Sequence, residues 1–246
     1  EEAIEAFDKA LVIDQNYTEA ICYKGIDLAK LGRDEEASDV FDQALVIDPQ
    51  FARAWYNKGI TLNNQGRYED AIQAFDQALA NEPRYADAWS NKGFSLDSLE
   101  RFEEAIAAYD KALEIHPDDV LTLINKGTDL GILGRYEEAA DAFDKATTVE
   151  PENAEAWNNK GTALNYLGKY EEALVAYDQA LTIDPKFLLA WSNKGAVLSS
   201  LGRDDEAIKV YDEALQIDPG YANAQYGKNI ASGNLVNNSS QNINLS

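Results

Sequence analysis

The chain has 246 residues, a formal net charge of −23 at pH 7, one cysteine and one histidine. So strong a negative charge argues against nucleic acid and anionic membrane surfaces as partners, because their phosphates would repel the protein. One cysteine excludes an internal disulfide, and a single histidine beside it leaves no zinc site and no paired nucleophile and base. No apolar run approaches the ~20 residues of a membrane span. We therefore expect a non-catalytic, cytoplasmic protein without cofactor or metal.

The sequence repeats with a constant period. A Lys-Gly dipeptide recurs every 34 residues, at Lys24-Gly25, Lys58-Gly59, Lys92-Gly93, Lys126-Gly127, Lys160-Gly161 and Lys194-Gly195. A fixed period of this length is typical of repeat architectures, in which each unit packs only on its neighbours. One copy, residues 54–83, therefore serves to interpret the others.

The first half of this copy predicts a helix, called helix A below. Trp55, Gly59 and Leu62 are separated by four and three residues, which places them on one face of a helix. Gly66 follows, and glycine tolerates the left-handed conformation that commonly ends a helix. We therefore expect helix A to stop near Gly66.

The second half predicts helix B. Residues 68–80 place Ala71 and Phe75 on one face together with further apolar residues. Pro83 ends the segment, because proline cannot continue a helix. Two amphipathic helices of this length cannot bury their apolar faces alone, so neighbouring copies must stack.

This copy resembles the tetratricopeptide repeat, whose pattern is W-x2-L-G-x2-Y, then A-x3-F, then P. The match consists of Trp55, Gly59, Ala71, Phe75 and Pro83. Two departures, Lys58 and Leu62, recur at the equivalent positions of every full copy. The resemblance implies an all-α fold, a right-handed superhelical solenoid of antiparallel helix pairs, with A helices on the concave wall and B helices on the convex wall. It also implies a recognition scaffold for other proteins.

The order of segments along the chain follows from this period. Residues 1–17 are predicted to be helix B of a truncated repeat with further sequence upstream, because Ala3, Phe7 and Ala10 occupy helix-B positions. Six full repeats follow at 18–51, 52–85, 86–119, 120–153, 154–187 and 188–221. A terminal capping helix is expected at 222–231, where Gln225 replaces the tryptophan. Residues 232–246 are rich in Asn and Ser, which predicts a flexible tail.

Charge is distributed unevenly between the two helices of a repeat. The predicted A helices are nearly neutral, whereas most acidic residues lie on the B helices and turns. Acidic pairs such as Glu103-Glu104 stand in the first turn of helix B, where the helix dipole favours them. Lys58 and its equivalents lie sixteen residues after one helix-B aspartate and eighteen before the next. This spacing predicts a row of Lys–Asp pairs that sets the registry of the stack, with lysine stems packed on apolar surface.

An asparagine precedes the repeated lysine in five copies, at Asn57, Asn91, Asn125, Asn159 and Asn193. Asparagine is a poor helix former, so its recurrence within helices calls for a reason. The row resembles the concave-face asparagines of the O-linked N-acetylglucosamine transferase repeat domain and of kinesin light chain. That resemblance implies carboxamides, open to solvent, that hold the backbone of an extended peptide, about one for every third peptide residue. The alternative is a harmless surface residue copied by recent duplication.

Neighbouring helix-A side chains would set the preference of such a groove. The candidates are Tyr23, Arg53, Tyr56, Phe94, Leu121, Ile124, Ile132, Tyr166 and Leu189, followed by Ile26 and Ile60. Leu121, Ile124 and Ile132 would together form an exposed apolar patch, and such patches usually mark contact sites. The alternative is that some of them pack between repeats.

The expected partner is an extended, mostly apolar or mixed peptide segment of another protein. The acidic tail of a chaperone is not expected, because the lysine positions of the corresponding clamp carry Cys22, Tyr56, Ser90, Ile124, Asn158 and Ser192. Two alternatives remain open from the sequence. The chain could be a self-assembly scaffold, a homo-oligomer joined through its repeat ends or C-terminal tail, or the targeting arm of a larger enzyme.

Overall fold

The computed structural model describes residues 1–243, with side chains as far as Asn234. All regular elements in this range are α-helices. Their bounds are α1 Glu2–Ile13, α2 Thr18–Lys30, α3 Asp34–Ile47, α4 Ala52–Asn64, α5 Tyr68–Asn81, α6 Ala86–Asp97, α7 Phe102–Ile115, α8 Val120–Ile132, α9 Tyr136–Val149, α10 Ala154–Tyr166, α11 Tyr170–Ile183, α12 Leu188–Ser200, α13 Asp204–Ile217 and α14 Ala222–Ile243. The predicted all-α repeat fold is confirmed. Over the described residues, no helix is both long and apolar enough to cross a bilayer.

The chain divides into two compact units, residues 1–122 and the part from Leu123 onward. In the first unit α2 packs on α3, α3 on α4, α4 on α5, α5 on α6 and α6 on α7. In the second unit the same succession joins α9 to α14. Even-numbered helices from α2 are the A helices, and odd-numbered helices are the B helices.

Each repeat is held together by a close contact between a glycine and an aromatic ring. Gly59 on α4 lies against the ring of Phe75 on α5, and Gly161 on α10 lies against Tyr177 on α11. A Cβ atom added to Gly59 would stand 2.5 Å from Phe75 Cε1. Phe75 is fully buried among small residues such as Ala71 and Ala78. The glycine is therefore needed because any side chain would occupy the space of the ring.

The predicted stop after helix A is confirmed at Gly66, which has φ +72°. The Arg67 amide donates to Leu62 O at 2.9 Å, and the Gly66 amide donates to Asn63 O at 2.9 Å, which closes the last turn of α4. The third repeat differs, because Glu100 takes this position with φ 58°. A side chain in the left-handed region is strained.

Lysine and aspartate pair between successive repeats, as the spacing predicts. Lys24 Nζ lies 2.6 Å from Asp8 and Lys92 Nζ lies 2.6 Å from Asp76, in each case joining an A helix to the preceding B helix. The Lys92 side chain is only 20 % exposed and its ammonium lies 5.4 Å from the Trp89 ring centroid. The ammonium therefore lies near the tryptophan ring, where a cation–π contact adds to the ion pair. The packing of lysine stems on apolar surface stays a prediction.

The tryptophan has a second role that the sequence did not predict. Trp89 Nε1 donates to the carbonyl of Pro83 at 3.0 Å, which ties helix A to the turn before it. In α14, Gln225 replaces the tryptophan, and its Nε2 donates to Pro219 O at 2.6 Å. The apparent break in the pattern at Gln225 therefore preserves this hydrogen bond.

Acidic residues in the first turn of five B helices have specific partners. The guanidinium of the preceding arginine lies 2.6 Å from the carboxylate in Arg33–Glu36, Arg67–Asp70, Arg101–Glu104, Arg135–Glu138 and Arg203–Glu206. The hydrogen bond from Arg101 holds the pKa of Glu104 below its usual range. Sequence reasoning assigned such acidic pairs to the helix dipole and to solubility, and it missed the arginine.

The last helix is longer than the sequence predicts. The expected end near Ala231 is wrong, because α14 continues to Ile243. Ala231 is fully buried in the core of the second unit, and Asn234 Nδ2 donates to Asp204 at 3.2 Å. Ala231 and Asn234 thus pack on the preceding hairpin at and beyond the expected helix end. The remainder of the predicted flexible tail, 244–246, lies outside the described residues.

Candidate functional site

The five repeated asparagines lie on the A helices and are all half-buried. In the first unit, Asn57 Nδ2 donates to Arg53 O at 2.7 Å and Asn91 Nδ2 donates to Asp87 O at 2.9 Å. Each bond joins the amide to the carbonyl four residues earlier in the same helix. It orients the carboxamide and leaves the Oδ1 acceptor in both residues. Asn57 also keeps a second N–H, whereas the second N–H of Asn91 donates to the Tyr56 hydroxyl at 3.4 Å. The carboxamides expected to be open to solvent are thus half-buried, and contacts within their own helices use part of their hydrogen-bonding capacity.

In the second unit the asparagines contact one another. Asn193 Nδ2 donates to Asn158 Oδ1 at 3.1 Å, and Asn158 Nδ2 donates to Asn159 Oδ1 at 3.1 Å. Asn158 is buried, with 1 % exposure, so this chain links α12 to α10 inside the stack. Asn125 on α8 is half-buried like the others. Part of the hydrogen-bonding capacity of Asn159 and Asn193 therefore serves the stack itself.

An aromatic and cationic cluster lies beside the asparagines of the first unit. Arg53 Nη1 donates to the Tyr23 hydroxyl at 2.9 Å, and the guanidinium carbon lies 5.8 Å from the Tyr23 ring centroid. Phe7 stacks on Tyr23 with ring centroids 6.1 Å apart. Tyr23 and Arg53 are both exposed, so the predicted candidates on α2 and α4 meet at the surface.

Tyr56 is the next member of this cluster. Its ring packs on Tyr85 at 4.7 Å between centroids, and its hydroxyl accepts from Asn91 Nδ2 at 3.4 Å. Desolvation raises the pKa of Tyr56 to about 12, and the Asp87 carboxylate adds to the effect. The phenol is therefore neutral at physiological pH and acts as a hydrogen-bonding group.

The remaining predicted candidates differ in exposure. Phe94, Leu121, Ile132, Tyr166 and Leu189 are exposed, and Ile26 and Ile60 are half-buried. Ile124 is buried, at 7 % exposure, so the prediction that Leu121, Ile124 and Ile132 form one exposed patch is wrong. Packing between helices takes up Ile124, which is the alternative that the sequence left open.

A cleft of about 530 Å³ lies in the second unit between α8, α9 and α10. Tyr136 and Tyr166 line it and stack on each other, with ring centroids 4.6 Å apart and an interplanar angle of 5°. Ile132 and Asn159 also line it. The cleft thus contains three predicted candidates, and Tyr136 is the member that sequence reasoning missed.

Another cleft, of about 660 Å³, lies in the first unit on the side of the B helices. Its lining is dominated by charged residues that pair with one another, such as Lys58 with Asp42 and Arg67 with Asp70. These two pairs are already satisfied within the stack. The cleft between α8, α9 and α10 is the more suitable for a ligand, because aromatic and aliphatic side chains line it.

Known proteins resemble this chain in sequence and in fold. Family models of the tetratricopeptide repeat match residues 24–79 and 61–120, 122–153, and 154–187 and 189–221. No curated protein matches it. Among solved structures, YrrB, described as a TPR protein with an unusual peptide-binding site, is 28 % identical with a TM-score of 0.67. That alignment covers 76 % of this chain and 96 % of YrrB.

More distant structures share the fold. The pilF protein of Pseudomonas aeruginosa is 20 % identical with a TM-score of 0.70, over 87 % of this chain and 96 % of that one. PilW, a type IV pilus biogenesis factor, is 19 % identical with a TM-score of 0.70, over 85 % and 97 % of the two chains. With the family matches extending over most of its repeats, this chain belongs to the tetratricopeptide repeat family.

Proposed function

We propose that this protein is a scaffold that binds an extended segment of a partner protein along the side formed by its A helices. The main supporting observation is the pair of carboxamides in the first unit, Asn57 and Asn91. Each is oriented by a bond to its own helix and retains its Oδ1 acceptor, and Asn57 also retains an N–H, since the second N–H of Asn91 donates to Tyr56. A peptide backbone needs this combination, because every residue offers one donor and one acceptor.

The spacing of the helices suits an extended guest. Packed helices lie ~8–10 Å apart, and an extended chain advances ~3.3 Å per residue. One carboxamide therefore meets about every third residue of a segment that crosses the helices. Carboxamides that bind the peptide backbone do not distinguish between peptide side chains. Selectivity would therefore come from neighbouring residues such as Tyr23, Arg53 and Phe94.

Charge and similarity support the same proposal. The net charge of −23 disfavours acidic segments, which long-range repulsion would slow and weaken. YrrB, 28 % identical over most of its length, is described as having a peptide-binding site. A protein segment that is apolar, mixed or basic is therefore the partner that fits best.

The test is selection from a random peptide library displayed on phage, followed by calorimetry on the selected peptides. We expect the double variant Asn57→Ala/Asn91→Ala to bind them at least tenfold more weakly. Asn81→Ala is the matched control, because Asn81 Nδ2 makes the same bond to Gln77 O, at 2.8 Å, on a B helix. Equal affinities of the double variant and the wild type for these peptides would show that the Asn57 and Asn91 carboxamides do not contribute to binding.

A further inference from the structure

The cleft between α8, α9 and α10 exists because small residues replace larger ones at two repeat positions. In the third repeat, Phe94 lies against Tyr68, with ring centroids 6.4 Å apart in an edge-to-face arrangement. In the fifth repeat the equivalent of Phe94 is Thr162, and the phenylalanine is missing from above Tyr136. Tyr136 is the equivalent of Tyr68. The second unit thus has no equivalent of the Phe94 ring, and Tyr166 stacks on Tyr136 instead.

Glycine enlarges the same cleft. Gly131 stands on α8 where the second repeat has Asn63, and a Cβ atom added to Gly131 would meet nothing within 4 Å. Glycine within a helix costs ~1 kcal/mol relative to alanine. Unlike Gly59, this glycine is not required by a neighbouring ring. Its structural effect is to leave open space beside Ile132 and Tyr136.

The two threonine hydroxyls of the cleft are already used. Thr128 Oγ1 donates to Ile124 O at 2.9 Å, and Thr162 Oγ1 donates to Asn158 O at 3.1 Å. Tyr136 and Tyr166 cover one ring face of each other, yet Tyr166 remains 63 % exposed. The end of the cleft formed by the two tyrosines therefore offers apolar and aromatic surface to a ligand.

The opposite end of the cleft is acidic. Glu155, Asn159, Thr162 and Tyr166 follow one another along one face of α10, at steps of four, three and four residues. Glu155 and Tyr166 are eleven residues apart, or ~16 Å at 1.5 Å per residue. Among the described residues that line the cleft, Glu155 is the only charged one. The cleft is therefore elongated along α10, with a carboxylate at one end and a stacked aromatic pair at the other.

We propose that this cleft binds a short extended peptide that lies along α10, with an aromatic side chain against Tyr136 and Tyr166 and a lysine or arginine against Glu155. This inference rests on the proposed function and assigns a specificity site within it. An extended chain advances ~3.3 Å per residue, so the two anchors are about five residues apart. Asn159 stands between them, where its amide can donate to a peptide carbonyl.

Size and charge favour this occupant. A volume of about 530 Å³ falls within the range of pockets that bury a ligand. Aromatic side chains are the commonest anchors of such pockets, because they bring a large apolar area at low entropic cost. A basic residue complements both Glu155 and the overall charge of −23.

The experiment selects peptides with the full wild-type chain and compares their affinities for the wild type and for two variants that close the cleft. Thr162→Phe restores the ring of the third repeat, and Gly131→Asn restores the asparagine of the second. We expect each to reduce affinity at least tenfold with no loss of thermal stability. Ala196→Phe is the control, because Ala196 is the equivalent of Thr162 in the next repeat, is exposed and does not line the cleft.

The charge requirement is tested separately. We expect the selected peptides to carry an aromatic residue and a lysine or arginine about five positions apart. Glu155→Gln should remove the preference for the basic residue and the salt dependence of binding, whereas Glu172→Gln on α11 should change neither. Selected peptides without this pair, or peptides that bind Thr162→Phe within twofold of the wild type, would overturn the inference. If such peptides still lose affinity in Asn57→Ala/Asn91→Ala, the proposed function stands without this cleft.

Discussion

Replacing Gly59 with alanine tests the contact that holds each helix pair together. The added Cβ atom would lie 2.5 Å from Phe75 Cε1 and 2.8 Å from its Cδ1 and Cζ. Carbon atoms separated by less than 3.0 Å must move apart, and Phe75 has no free volume to enter because it is fully buried. We therefore expect Gly59→Ala to destabilise the protein, although alanine is the better helix former.

The magnitude follows from two opposing terms. Overpacking of a filled core costs ~1–3 kcal/mol, and the contact with three ring atoms places Gly59 at the upper end. The gain in helix propensity from glycine to alanine is ~1 kcal/mol. The net expected loss of unfolding free energy is therefore ~2 kcal/mol. Gly131→Ala should instead stabilise by up to ~1 kcal/mol, because its Cβ atom would meet nothing within 4 Å.

The assay is urea unfolding followed by helical circular dichroism, with the midpoint as the measured quantity. Phe75→Leu supplies a further control, since it removes the ring atoms and should reduce the penalty of Gly59→Ala by at least ~1 kcal/mol in a double-mutant cycle. The reasoning is refuted if both alanine variants raise the midpoint equally. It is also refuted if the penalty at Gly59 is unchanged in the Phe75→Leu background.

Three further predictions concern single residues. Glu100→Gly should raise the free energy of unfolding by ~1 kcal/mol, and with it the urea midpoint, because φ 58° is strained for a residue with a side chain. A lower midpoint would contradict this prediction. The hydrogen bond from Arg101 lowers the pKa of Glu104 from 4.5, so the stabilisation by this carboxylate is present above pH 4.5 and is lost as pH falls through the folded-state pKa. The urea midpoint should therefore drop less on acidification in Glu104→Gln than in the wild type. Burial raises the pKa of Tyr177 from 10 to about 12, so the stabilisation by the neutral phenol is present below pH 10 and is lost as pH rises towards 12. The loss of stability at alkaline pH should therefore be smaller in Tyr177→Phe. Phenolate absorbance of Tyr177 that appears near pH 10 would contradict this prediction.

Local chemistry made several features predictable. The turn at Gly66 depends on one residue that tolerates positive φ. The lysine and aspartate pairs, such as Lys92 with Asp76, depend on a separation that is the same in every copy. These features are periodic, so the same interaction recurs at each repeat.

Features that depend on a difference between repeats were not predictable in the same way. Ile124 is hydrophobic and was expected at the surface, yet neighbouring helices bury it. Gln225 departs from the pattern, yet it makes the hydrogen bond of the tryptophan. The cleft beside Tyr136 arises because Thr162 and Gly131 are both small and face the same space. Each outcome depends on side chains from more than one helix.

The sequence by itself determined the helix pair, its period and the residues that repeat, because helix-forming patterns and turns depend on residues that are close together along the chain. The tertiary structure alone decided which asparagines are engaged by neighbours, which apolar residues are buried and where a cleft opens. The physical reason is that burial and hydrogen bonding between repeats depend on volumes and distances across helices. Residues such as Tyr136 and Tyr166, far apart along the chain, acquire a common role only when packing brings their rings together.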